Sequence, residues 1–214
     1  MDFTAIIAFI VSGFIIAAQK NKSTAHDPGS SNTFTNQVIN TVQKGFGQLN
    51  TVQINALKNI AYSFENYPGA KTIAQFAYIF ATAWHESAQL KILREIRAKQ
   101  GTQLRALQDR YWNTGFYGRG FVQITWEENY LRLQQITGAP IHDDPQLAEH
   151  PTVAAEVLVK GMMKGAFTGV DLPSYVNTYK TDFINARRVV NGTDRAVLIA
   201  GYADTFFNNF QTFV

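Results

Sequence analysis

Cysteine is absent from the chain, which rules out disulfides, thiolate metal sites and a cysteine nucleophile. A buried core must therefore hold the fold together, and 46% apolar residues in a chain of 214 supply one substantial core. Charge is sparse as well: Lys, Arg, Asp and Glu make up 16% of the residues, with a formal balance of +3. No block of Lys and Arg gathers on one face, so nucleic acid is not an expected partner. The weak basic bias suits at most an anionic polymer. Sustained apolar–polar alternation is scarce, residues 121–125 (FVQIT) being the best candidate for a short strand. No internal repeat is visible. What remains is a helical pattern.

The longest uncharged run, residues 3–18, reads FTAIIAFIVSGFIIAA. As a helix it would span roughly 24 Å, slightly short of a hydrocarbon core of ~30 Å. Residues 1–19 are read as a membrane anchor, with a cleaved signal-like segment and a buried soluble helix as competing readings. The last is weakest because the apolar residues surround the helix instead of forming a stripe. A secretory signal usually opens with positive charge, whereas here only Asp2 precedes the apolar run. Lys20 and Lys22 follow it and, by the positive-inside rule, would hold the bulk of the chain on the cytoplasmic side. Residues 20–33, KNKSTAHDPGSSNT, have linker composition, which leaves residues 34–214 as the folded domain.

Helical spacing governs that domain. Val38, Val42 and Phe46 recur at i, i+4 before Gly45 and Gly47 end the stretch. Thr51 is the expected N-cap of a second helix carrying Ile54, Leu57, Ile60, Ala61 and Phe64. A third places Ile73, Phe76, Ala77, Phe80 and Trp84 on one side and Tyr78, Ile79 and Ala83 on the other, so it is expected at the centre of the core. Pro151 suits the first turn of a helix through Met163, and Gly192-Thr193-Asp194 precedes a last helix with Val197, Ala200, Ala203, Phe207 and Phe210.

The central helix ends in His85-Glu86. A carboxylate delivered from the most buried element is costly unless its charge is used or neutralised. An acid beside Trp84 and Phe80 would hold its proton, while Glu95, between Arg94 and Arg97, is suited to stay ionised. Acid–base hydrolysis of a glycosidic bond needs such a division of labour. On an unbroken helix the two would stand about 13 Å apart and face opposite ways. The pairing therefore demands that the helix end soon after His85, although neither Gly nor Pro lies between Ser87 and Arg94. Solvated charges on a surface helix are the alternative. Residues 111–130, YWNTGFYGRGFVQITWEENY, add glycines for sharp backbone paths, flat aromatic faces for sugar rings, and hydrogen-bonding side chains in Arg119, Gln123, Thr125 and Asn129. An aromatic loop packed over a core is the competing reading.

AYIFATAWHES, then REI, then FYGRGFVQITWEENY resembles the chitinase-like glycoside hydrolase family 19, most closely its phage and bacterial lysozyme-type members. The likeness continues through Asp144-Pro145-Gln146-Leu147, KGMMKGAFTGVDL and ARRVVNGTDRA, so it covers residues 54–210. The resemblance implies a mainly α, lysozyme-like two-lobed helical domain with a substrate cleft, here preceded by the N-terminal hydrophobic helix, and an inverting mechanism without cofactor or metal. It implies Glu86 as general acid, Glu95 as general base, and Thr125 holding the attacking water. Gln123 would bind substrate, Tyr117, Arg119 and Asn129 would line the cleft, and Asn191 would contact sugar or brace the network. Many members have two glycines soon after the HE pair, where this chain has Ala88-Gln89.

The expected partner is the glycan strand of peptidoglycan, cut at its β-1,4 bonds by a monomeric, phage-encoded domain. The N-terminal segment would tie it to a membrane, with the catalytic domain acting on the periplasmic wall. A chitinase, a lytic transglycosylase and a non-catalytic wall-binding virion protein are the alternatives. Glu127 and Glu128 rival Glu95 as second carboxylate. His85 reads as structural. His142, His150, Asp143 and Asp144 lie in a loop without metal-ligand spacing. Arg187 and Arg188 read equally as anion binders or packed surface cations, and Ser87 lacks an Asp–His partnership.

Overall fold

The structure, a computed structural model, describes residues 28–213, and side chains from 33 to 212. The apolar run at 3–18 and most of the stretch read as a linker lie outside it. Helix α1 (Pro28–Phe46) begins within that stretch and ends where Gly47 turns left-handed at φ +90°. Helix α2 (Thr51–Glu65) is capped one residue earlier than expected. Asn50 Oδ1 accepts from Gln53 N at 3.0 Å, and Gln53 Oε1 accepts from Asn50 N at 3.0 Å. That reciprocal box satisfies two orphan donors, which Thr51 alone would not do. Helix α3 (Ile73–Glu86) carries the same device on Thr72 and Gln75. The chain continues through α4 (Gln103–Gln108), α5 (Glu127–Thr137), α6 (Pro151–Met163) and α7 (Ala196–Phe210).

Every residue of α3 from Ile73 to Trp84 is buried, as its all-round apolar pattern requires. It packs against α7 and more lightly against α6, while α2 lies on α6, and α1 spans α2 and α7. Phe76 links Phe34, Phe64 and Phe206 at centroid distances of 5.2–5.4 Å. Phe46, Phe80 and Trp84 form a second aromatic group toward the C-terminal end of α3. Each buried ring stabilises by about 1.5–3 kcal/mol, and no covalent link supplements them.

The strand expected over residues 121–125 does not form. Gly120 (φ +75°) and Gln123 (φ +51°) curl the segment, so Ile124 pairs with Arg119 in an isolated antiparallel bridge. Phe121, Val122 and Ile124 are all buried, so the apparent alternation marks an inward-facing turn. Arg119 also bridges Arg94. Among the described residues there is no strand and no helix long and apolar enough to cross a membrane. The domain is mainly helical, with an irregular, glycine-rich segment packed beside the end of α3.

Candidate active site

Helix α3 stops at Glu86, meeting the condition that the carboxylate pair imposed. It stops without glycine or proline: Ala88, Gln89 and Leu90 take left-handed φ values of +49°, +63° and +65°. Each costs about 1 kcal/mol or more in an L-residue. The turn is over-determined by its contacts. Gln89 N reaches back to Trp84 O at 2.8 Å, Lys91 N and Ile92 N both donate to Ser87 O, and Ser87 Oγ donates to Ala83 O at 2.6 Å. Gln53 Nε2 from α2 holds Gln89 O at 3.0 Å, and Leu90 is buried. This is the place where the resembled family has glycines.

The setting of Glu86 differs from the apolar one expected. Its Oε1 accepts from Arg187 Nη1 at 2.7 Å, and its side chain is 21% exposed against 2% for Arg187. Arg187 stands on the 3₁₀ turn Asn185–Val189 and anchors its Nε on Asp194 O at 2.8 Å. The second oxygen, Oε2, takes no part in this pair. Arg187 is thus the ion-pair partner of Glu86, a role that its position beside Arg188 did not reveal.

Glu95 sits half-buried at the centre of a donor set. Oε1 accepts from Tyr111 Oη at 2.7 Å and Gln108 Nε2 at 2.9 Å; Oε2 accepts from Gly118 N at 2.9 Å. The Glu95 and Gly118 backbones are tied as well, Glu95 N donating to Gly118 O at 2.8 Å. Burial, and then the bond to Glu95, raise the Tyr111 phenol above its usual range, so it keeps its proton and donates. A Cβ on Gly118 would lie 3.0 Å from both Glu95 Oε2 and Gln123 Oε1. A side chain at 118 would therefore press on both groups where they converge. Tyr111 opens the aromatic segment seen in the sequence, but its role needed tertiary contacts; Gln108 carried no local signal.

The other expected residues divide. Gln123 turns its Nε2 onto Gly120 O at 2.9 Å, Thr125 Oγ1 donates to Gln123 O at 3.2 Å, and Asn129 Nδ2 donates to Thr125 O at 2.7 Å. These three form one chain of contacts running from Gly120. Tyr117 stacks on Trp112 at 4.4 Å. Asn191 is exposed on the loop after the Arg187 turn, with its N–H on Arg187 O. Arg119 departs from the cleft-lining role. It is 3% exposed and spends its guanidinium on Glu149 Oε1 (2.7 Å), Gly115 O (2.7 Å) and Tyr130 Oη (3.0 Å), with Tyr117 over its face at 3.8 Å. Burial pushes the Tyr130 phenol up to about 12, with Arg119 pulling the other way, and its hydroxyl donates to Tyr117 O. Arg119 braces the segment from beneath. Glu127, the rival second carboxylate, pairs with His142 Nε2 at 3.1 Å and, unlike Glu95, has no set of converging donors.

No protein-family model matches the chain. Over 125 residues it is 27% identical to an endochitinase of Arabidopsis thaliana, a stretch covering 56% of this chain and 47% of the plant protein. The chain thus spans about half the length of the curated relatives it matches. Chitinase C from Streptomyces griseus superposes with a TM-score of 0.58 at 18% identity, over 81% of this chain and 77% of that one. A bacterial family 19 chitinase gives 0.50 at 21% identity, over 81% and 94%. The fold is that of the family 19 chitinases, and its sequence is similar to that of plant endochitinases, as the motif order around Glu86 and Glu95 implied.

Proposed function

We propose that this chain is a glycoside hydrolase that cuts β-1,4-linked chains of N-acetylated aminosugars with inversion. The observation that carries the reading is Glu95, a carboxylate held by three converging donors beside Gln123, in a chain whose other motif carboxylate, Glu86, ends the central helix. Such preorganisation is what positioned chemistry requires. Glu86 Oε2 gives its proton to the glycosidic oxygen as the C–O bond breaks. Glu95 takes a proton from the water whose oxygen attacks the anomeric carbon from the opposite face, and Thr125 Oγ1 helps hold that water. Arg187 fixes Glu86 through Oε1, so one oxygen orients while the other reacts. Gln123, Asn129, Tyr117 and Asn191 contact sugar in a cleft between the helical part carrying Glu86 and the irregular segment carrying Glu95.

The relatives are named as chitinases, which favours a chitin-type polymer. Peptidoglycan is the second reading, favoured by the lysozyme-type motif order and by residues 3–18, which would anchor a wall-lytic enzyme of phage origin to a membrane. The full-length protein should release new reducing ends of inverted configuration from chitin oligomers or from wall sacculi. Glu86→Gln should lower turnover by roughly 10²–10⁴-fold. Anhydro-sugar products with Glu95→Gln still active would indicate a transglycosylase instead.

A further inference from the structure

We propose that the cavity beside Trp126 is a subsite for one uncharged aminosugar ring of the chain being cut, an inference that rests on the function proposed above. The cavity, of about 350 Å³, is lined by Thr114, Trp126, Glu127, Glu128 and Leu131. Neither Glu86 nor Glu95 lines it, so it is separate from the reacting centre. Its walls match a pyranose: an indole 44% exposed and a Leu131 side chain 43% exposed for the C–H face, with carboxylates and a threonine hydroxyl for ring hydroxyls and an amide N–H. Placement at the start of α5 accounts for Glu127 and Glu128 as acids near a helix N-terminus, but it does not account for a presented indole. Trp126 holds φ +74°, a region unfavourable for a bulky residue. Its N–H on Phe116 O at 2.8 Å and its carbonyl under Asn129 N at 3.1 Å secure it there.

The cavity is linked to the proposed base through its Trp126 wall. The Trp126 ring meets Tyr111 at 5.2 Å, and Tyr111 Oη is 2.7 Å from Glu95 Oε1. A sugar pressed on Trp126 is therefore two side chains away from the base, within reach of the same glycan. The acidic wall selects among sugars. Carboxylates accept hydroxyl and amide donors and repel anionic substituents, so a neutral N-acetylaminosugar is admitted and one bearing a free carboxylate is disfavoured. The subsite thus favours a chitin-type chain over a wall glycan.

Chitin hexamer and trimer, with the full-length protein, provide the test. Trp126→Ala should lower the hexamer-to-trimer ratio of kcat/KM by about tenfold, through KM, and hexamer should bind Glu86→Gln/Trp126→Ala about tenfold more weakly than Glu86→Gln. Equal losses on both oligomers would assign the effect to Tyr111 and Glu95 and overturn the subsite. No loss would overturn it too, leaving the hydrolase reading intact. If the unmodified protein cuts neither oligomer, the hydrolase reading on chitin falls, while the binding comparison still decides the subsite. Glu128→Gln, an exposed substitution that spares the fold should Trp126→Ala not, should raise turnover of wall sacculi relative to hexamer severalfold. An unchanged ratio would overturn the selection by charge.

Discussion

Glu86 and Arg187 lie 101 positions apart, yet their side chains meet at 2.7 Å with the guanidinium almost wholly buried. Removing one partner of such a pair strands the other. Arg187→Ala should therefore destabilise by about 2–3 kcal/mol in urea unfolding and reduce turnover, because Glu86 loses its orientation. Glu86→Gln keeps an acceptor for Arg187 and should cost less stability while losing more activity. If the two substitutions rank the same way in both measurements, the division of roles is wrong.

Gly118 tests the preorganisation of Glu95. A methyl there would press on Glu95 Oε2 and Gln123 Oε1, both 3.0 Å away. Gly118→Ala should cost roughly a hundredfold in kcat with a modest change in melting temperature. Tyr111→Phe removes one of three donors and should cost about tenfold. Full activity in both would detach Glu95 from the chemistry.

The left-handed turn after Glu86 predicts a gain. Ala88 is exposed at φ +49° and lies outside the buried core; glycine accepts this φ freely. Ala88→Gly should raise stability by about 0.5–1 kcal/mol. A loss in thermal unfolding would show that the backbone there is not left-handed.

Stability should also depend on one carboxyl away from the site. Burial pushes the Glu65 carboxyl from 4.5 up to about 7, Lys71 pulling it partly back, and its Oε2 is buried without a hydrogen bond. Below about pH 4.5 the folded and unfolded chains both keep this proton. As pH rises toward 7 the unfolded chain releases it first, so the folded state loses stability across that window and then levels off. Melting temperatures between pH 4.5 and 7.5 should fall less steeply in Glu65→Gln than in the unmodified protein. Identical slopes would refute the assignment.

Much of the helical framework was legible because periodicity is a local record of burial. The all-round apolar pattern of residues 73–84 marked α3 as central, and Pro151 and Gly192-Thr193-Asp194 marked later helix starts. The motif order named Glu86 and Glu95, but what surrounds them is set by contacts distant in sequence. Arg187 reaches Glu86 across the fold, Gln108 and Tyr111 reach Glu95 from α4 and the turn after it, and Arg119 is drawn beneath the segment by Glu149 and Tyr130. The break after Glu86 was invisible for a related reason. Three ordinary residues adopt left-handed backbone because Gln53 on α2 and the buried side of Leu90 hold them there. Local sequence thus determined which elements form and which face is apolar; only packing between elements decided which polar groups meet, since hydrogen-bond partners and strain are properties of juxtaposed segments.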